Sequence, residues 1–277
     1  MIKRSALNFI VAIVVLLAGV PAAKADTDSL IAQAKSEKPK HYDYTIQNGA
    51  QILPSADHKS FSVFWKPENY TSETTPVLVT IHGHGSWAFT EFTIWHEYAK
   101  KRGMVFLGIQ WWMGQGEKFQ DYLIPQEIYR IVDDTFREKN MKGPALFHGF
   151  SRGSANSYAV AAMDVRTGHR YFDLFIANSG KPGLDFPPNK DITDGRFGEQ
   201  PLAGTQWITF AGGKDTHPER DGFEGMRKAK EFIEKYGGTV VLAIEDPDSD
   251  HGGFHRNPKN CNLALDTFEK IIKRSSS

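Results

Sequence analysis

One serine in this chain stands where it could be made nucleophilic. Residues Gly149-Phe150-Ser151-Arg152-Gly153 fit the pattern G-x-S-x-G. An apolar run, Ala145–Phe150, leads into it, and a small-residue segment with Ala155, Ala159, Ala161 and Ala162 leads out. That is the strand, sharp turn and helix that hold a hydroxyl clear of its neighbours. The glycines serve a tight turn past which other backbones run closely. A serine hydroxyl attacks only when a base takes its proton, so the turn must aim Ser151 at a histidine. The competing reading is a glycine-rich turn with a capping serine.

A second segment, Ile81-His82-Gly83-His84-Gly85-Ser86, follows another apolar run. Acyl transfer places negative charge on the carbonyl oxygen, and one well-aimed N–H donor is worth roughly 3–4 kcal/mol there. The backbone N–H groups of His84 and Arg152 are the candidate donors, with Gly85 as the alternate for the first. His82-x-His84 also has the spacing of a metal pair. The preferred reading makes the His82 imidazole a structural prop of the loop.

These segments need elements to position them. Short apolar runs recur at 61–65, 77–81, 104–109, 145–150, 172–177, 207–211 and 240–244. Unbroken runs of this kind suit strands covered on both faces. Tyr42–Ile46 is expected as a further early strand, joined to the next by a loop holding Asn48-Gly49 and Pro54. Residues 27–40 read as a leader or short helix. Helical patterns follow Pro125, with Ile128, Ile131, Val132, Thr135 and Phe136 on one face, and run through Phe223–Tyr236 to a stop at Gly237-Gly238. The last helix begins with Asn257 as cap and Pro258 in its first turn. Repeated alternation predicts an α/β fold, a mostly parallel sheet with helices on both faces. Residues 181–206, rich in Gly, Pro and Asp, are expected as a long insertion of the kind that forms lids.

The chain resembles secreted α/β-hydrolases. Trp65-Lys66-Pro67-Glu68-Asn69-Tyr70, the His82-Gly83 loop and the Ser151 turn come in that superfamily's order. The Pro-Glu-Asn-Tyr stretch is similar to feruloyl esterases and polyhydroxyalkanoate depolymerases, whereas Gln110-Trp111-Trp112 departs from their pattern. The resemblance covers about residues 60–275 and implies an α/β-hydrolase fold. It also implies a triad whose acid follows the strand after the insertion and whose base follows the last strand. Asp215, in Gly212-Gly213-Lys214-Asp215, matches the acid, with Asp221 as a weaker alternate. His251, ahead of Gly252-Gly253, matches the base, with His255 as rival. The implied reaction is cleavage of a small-molecule or polymer carboxylic ester through an acyl-enzyme, with no cofactor. The alternatives are a serine peptidase of the same fold and a non-catalytic binding protein that kept it.

Trp87, Phe89, Trp111, Trp112 and Met113 follow strands at the end where such a site lies. Trp111 and Trp112 are the candidate pocket residues. Adjacent residues of an extended segment point oppositely, so one is expected at the site and the other in the core. The side chain of Arg152 reads as a structural pair or as a contact for an acidic substrate group. Asp246, Asp248 and Asp250 lack the glycine and terminal glutamate of a calcium loop and read as a solvated turn.

Composition removes other classes. The 277 residues carry 33 basic and 33 acidic side chains. The first 25 hold Lys3, Arg4 and Lys24 and no acid, leaving 30 basic against 33 acidic groups in the rest, about −3. Nucleic-acid binders show a basic excess, so no nucleic-acid partner is expected. Cys261 is the single cysteine, which excludes an internal disulfide and a cysteine-rich zinc site. Lys3 and Arg4, the apolar run 6–20 and Ala23-Lys24-Ala25 have the form of a cleaved export signal over residues 1–25. The run is shorter than the ~20 residues needed to cross a bilayer. The expected product is one secreted or periplasmic domain, residues 26–277, with no stable membrane span.

Overall fold

The computed structural model describes residues 26–184 and 186–275. The segment read as an export signal, residues 1–25, lies outside them. Among the described residues, strands β1 (Gln51–Pro54), β2 (Phe61–Trp65), β3 (Val77–Ile81), β4 (Val105–Ile109), β5 (Ala145–Phe150), β6 (Phe172–Asn178), β7 (Gln206–Gly212) and β8 (Thr239–Asp246) form one sheet. Its order is β1-β2-β4-β3-β5-β6-β7-β8. The two leading strands pair antiparallel, as does β2 with β4, and all later pairs are parallel.

Side chains alternate across the sheet, so both faces are dry. Val77, Val79 and Ile81 of β3 enter one core and Leu78 the other; Phe147 and Leu146 of β5 divide the same way. The first core is closed by α4 (Pro125–Glu138), α5 (Arg152–Thr167) and α7 (Phe223–Lys235). The second is closed by α1 (Thr27–Glu37), α3 (Ala88–Arg102) and α9 (Pro258–Ser275). Three shorter helices complete the described chain: α2 (Pro39–Gln47), α6 (Pro187–Thr193) and α8 (Gly253–Arg256). None of the described helices is long and apolar enough to cross a membrane.

The expected strand at 42–46 is instead part of α2. Pro39 stands in its first turn, and His41, Tyr42 and Thr45 turn inward at helical spacing while Ile46 is 44% exposed. The first strand is β1, inside the segment read as a loop. It tolerates Pro54 because it is a short edge strand with pairing on one side only. Trp87 and Phe89 are fully buried at the start of α3 and are core, not pocket. Residues 27–37 form a helix that turns Leu30 and Ala34 inward, and Asp26 caps it by accepting from the Ser29 N–H at 2.8 Å. The insertion at 181–206 is seated on α5: Ile192 and Leu202 are fully buried, and the Asn189 amide donates to the Ala155 carbonyl at 2.9 Å.

Candidate active site

β3 and β5 are neighbours in the sheet, and the chain leaves β3 for β4 on one side and later returns to β5 on the other. Open α/β sheets bind ligands beyond the carboxyl ends of strands at such a reversal. Ser151 stands at the end of β5 with φ 54° and ψ −117°. That left-handed backbone is costly for a residue with a side chain, about 1–3 kcal/mol, and persists where the surroundings impose it. Here the Ser151 N–H is held by the Asn178 carbonyl at 2.8 Å, and α5 starts at the next residue. The flanking glycine is needed for space. A Cβ on Gly153 would lie 2.6 Å from the carbonyl oxygens of both Ile81 and His82, so any larger residue would push α5 off the end of β3. A Cβ on Gly83 would lie 3.4 Å from that of Ser151, which places the His82–Gly85 loop directly beside the serine.

Three residues far apart in sequence meet here. His251 Nε2 lies 2.8 Å from Ser151 Oγ. His251 Nδ1 lies 2.8 Å from Asp215 Oδ2. The other Asp215 oxygen accepts the His217 N–H at 2.9 Å, which locks the carboxylate in the turn after β7. Asp221 is also near, 3.9 Å from His251 Nδ1, but too far for a hydrogen bond. Its oxygen instead receives Nε and Nη2 of Arg220 at 2.7 Å. Burial raises the Asp221 carboxyl above its ordinary range. Both nitrogens of His251 are thus spoken for, by a hydroxyl on one side and a carboxylate on the other. The Phe150 ring lies tilted 5.1 Å from that of His251 and edge-on 5.2 Å from that of His255, separating the two imidazoles. His255 borders the cavity beside His251 but points its buried Nε2 toward Glu91 and His148.

The loop that carries His251 is clamped by a residue that reads in sequence as part of a solvated turn. Asp246 accepts from Ser249 Oγ at 2.7 Å and from the side-chain amides of Asn260 and Asn257 at 2.9 Å each. These bonds, Ser249 first, hold its carboxyl well below the usual carboxylate range. The end of β8 is thereby tied to the start of α9, with the histidine loop between. The only sequence signal was Asn257 before Pro258, read there as a helix cap. Asn257 does cap α9, accepting the Lys259 N–H at 3.2 Å.

On the other side, the His84 loop is organised by Tyr122, which sequence reasoning did not single out. The Tyr122 hydroxyl lies 2.6 Å from His84 Nδ1 and accepts the Gly85 N–H at 3.3 Å. The Arg152 guanidinium lies 4.6 Å over the Tyr122 ring and donates to the Glu117 carbonyl at 2.7 Å. The Arg152 side chain is therefore held against Tyr122 and Glu117.

Trp111 is 1% exposed, and its indole N–H donates to the His82 carbonyl at 2.8 Å. Trp112 is half-buried, packs 5.1 Å from Trp87 and donates to the Gly116 carbonyl at 3.0 Å. A cavity of about 560 Å³ opens beside His251, bordered by Ile94, Phe150, Lys214, Thr216, Asp250 and Arg256 among others. Neither tryptophan borders it. Cys261 is fully buried in α9 with its thiol pushed up to about 12 by burial.

His82 is fully buried, with Nδ1 2.8 Å from the Gly83 carbonyl. Burial pushes its imidazolium down to about 4. In the unfolded chain the same group takes a proton near 6.5. As pH falls the unfolded state is protonated first, so His82 stabilises the fold fully above pH 6.5 and loses that contribution between 6.5 and 4. The loss amounts to about 3 kcal/mol. Urea unfolding of wild type and His82→Asn at pH 7, 5.5 and 4 should show the gap between them shrinking by about that amount. A gap independent of pH would mean that His82 is not buried as a neutral base.

No protein-family model matches the chain, and no curated protein is similar to it in sequence. Solved structures are similar in fold. A fungal esterase from Rhizomucor miehei is 15% identical with a TM-score of 0.60, covering 87% of this chain and 90% of its own. Esterase 2 of Thermogutta terrifontis is 19% identical with a TM-score of 0.60, covering 80% and 95%. An esterase of Pyrobaculum calidifontis is 14% identical with a TM-score of 0.58, covering 88% and 94%. The strand order, the helices on both faces and these neighbours together make the architecture of this chain an α/β-hydrolase fold.

Proposed function

We propose that this chain is an exported serine hydrolase that cleaves carboxylic esters. The observation that carries the reading is the continuous hydrogen-bonded line from Ser151 through His251 to Asp215, 2.8 Å at each step. Ser151 Oγ attacks the ester carbonyl while His251 Nε2 takes its proton, and Asp215 holds the ring and steadies the imidazolium that forms. The proton then passes to the leaving alcohol, and water, activated by the same His251, releases the acid.

The oxyanion is assigned to the N–H groups of His84 and Arg152. Arg152 is the first residue of α5, where an N–H has no intrahelical acceptor and the helix dipole favours negative charge. Gly85 is the weaker donor because its N–H is already given to Tyr122. Trp111 supports the same loop from beneath through the His82 carbonyl. The Pro67-Glu68-Asn69-Tyr70 stretch favours esters of the feruloyl or polyhydroxyalkanoate kind, and the segment 1–25 favours export.

Thermogutta terrifontis esterase 2 is phosphonylated by sarin. A fluorophosphonate probe should accordingly label this chain once, and Ser151→Ala should remove the label. A panel of p-nitrophenyl esters, feruloyl esters and short peptides then sets the class. Ester turnover without peptide turnover is the expected result. Peptide cleavage would make the chain a peptidase, and absence of labelling would make it a binding protein.

A further inference from the structure

Behind the Phe150 ring lies a second cluster that the hydrolytic reaction does not use. Glu91 projects from α3, His148 from β5 and His255 from α8, and one ligand atom of each lies within 4.8 Å of the others. Glu91 is 2% exposed and His148 fully buried, while His255 reaches the wall of the cavity beside His251. Glu91 Oε2, His148 Nδ1 and His255 Nε2 are all buried with no hydrogen-bond partner. Three convergent polar atoms with no hydrogen bond in good geometry are not a stable packing solution, because each loses its water on folding, and the Trp95 indole N–H, the donor facing Glu91, also makes no such bond. They also do not satisfy one another: His148 Nδ1 and Glu91 Oε2 are 3.8 Å apart, beyond hydrogen-bond range.

We infer that Glu91, His148 and His255 form a binding site for a divalent transition-metal ion, with zinc the best match to two imidazoles and a carboxylate. Zinc holds His nitrogen and carboxylate oxygen at about 2.0–2.2 Å in a tetrahedron, which sets its ligands about 3.4 Å apart. The 3.8 Å separation of Glu91 Oε2 and His148 Nδ1 is close to that edge, and all three ligand atoms lie within 4.8 Å of one another. Water from the neighbouring cavity supplies the fourth ligand. The surroundings suit a metal shell. Trp95 packs 5.0 Å from His148 and 5.7 Å from His255, and Phe254 stacks on His148 at 5.7 Å. His148 Nε2 lies 3.2 Å from Asn178 Nδ2, and Asn178 Oδ1 lies 3.2 Å from Ser179 Oγ. With that amide turned so that its oxygen faces the ring, Nε2–H is donated to Asn178 and Nδ1 is left as the metal ligand.

The ion would be structural. It joins α3, β5 and α8, and so pins the segment four residues beyond His251 to the strand that carries Ser151. The test uses the full chain without a histidine tag, stripped with a chelator and titrated with zinc and with cobalt(II). The expected result is one ion per chain, a raised Tm with zinc, and visible d–d absorption of tetrahedral cobalt. Glu91→Gln, which keeps the volume of the side chain, should weaken binding by at least about 100-fold. His255→Gln, at the cavity wall, should do the same and serves if Glu91→Gln does not fold. The inference is overturned if neither ion binds or raises Tm, as a bridging water at these three atoms would require. It is also overturned if both variants bind zinc as tightly as wild type.

Discussion

Ser151→Ala is expected to lower kcat for ester hydrolysis by roughly 10⁶-fold while leaving the fold intact. In the proposed reaction the hydroxyl is the attacking group, and Ser151 Oγ is the atom that His251 Nε2 meets at 2.8 Å. Alanine keeps the Cβ, so it removes the chemistry without relieving the backbone at φ 54°. Ser151→Gly removes both. It should be as inactive as the alanine variant yet more stable by about 1 kcal/mol, since glycine adopts this region without the steric penalty. Turnover on a short-chain p-nitrophenyl ester, with thermal melts of both variants, checks the two halves separately. Near-normal turnover by folded Ser151→Ala protein would remove Ser151 from the mechanism. Equal melting of the two variants would show that the elbow stores no strain.

His251→Ala should lose activity on the same scale, because a serine without its base is as inert as a missing serine. The informative comparison is His255→Ala. His255 is separated from the reacting atoms by Phe150 and faces Glu91 and His148. Its loss should reduce stability and metal binding, while turnover persists at temperatures where the variant stays folded. Steady-state kinetics on both variants, at a temperature chosen from their melts, decides between the histidines. An active His251→Ala beside a dead His255→Ala would reverse the assignment.

Local chemistry made some features readable in advance. The Ser151 elbow requires a buried strand, glycines at two fixed offsets and a helix that begins at once, and all of these lie within about twenty consecutive residues. The His82–Gly85 loop is likewise local, since a glycine-rich turn after a buried strand needs no distant partner to be noticed. Runs such as Val77–Ile81 and Phe172–Asn178 are apolar because both sheet faces are covered, and their length separates them from helices. The segment Tyr42–Ile46 misled because it is short and mixes aromatic with β-branched residues, which fit either period. Packing of α2 against α3 decided it, and that contact is between segments about 50 residues apart.

By itself the sequence determined the alternation of strand and helix, the Ser151 turn and the glycine-rich His82–Gly85 loop, because each depends on backbone geometry over a few neighbouring residues. Only the tertiary structure decided which imidazole faces the serine, since His251 and His255 are close neighbours in sequence and 100 residues separate His251 from Ser151. It also decided between Asp215 and Asp221, through 2.8 Å against 3.9 Å and through the claim of Arg220 on the second. Tyr122, Asp246 and the Glu91–His148–His255 cluster belong with these. Their partners lie on other elements, and no spacing along the chain encodes a convergence that arises only when separate strands and helices are packed into one core.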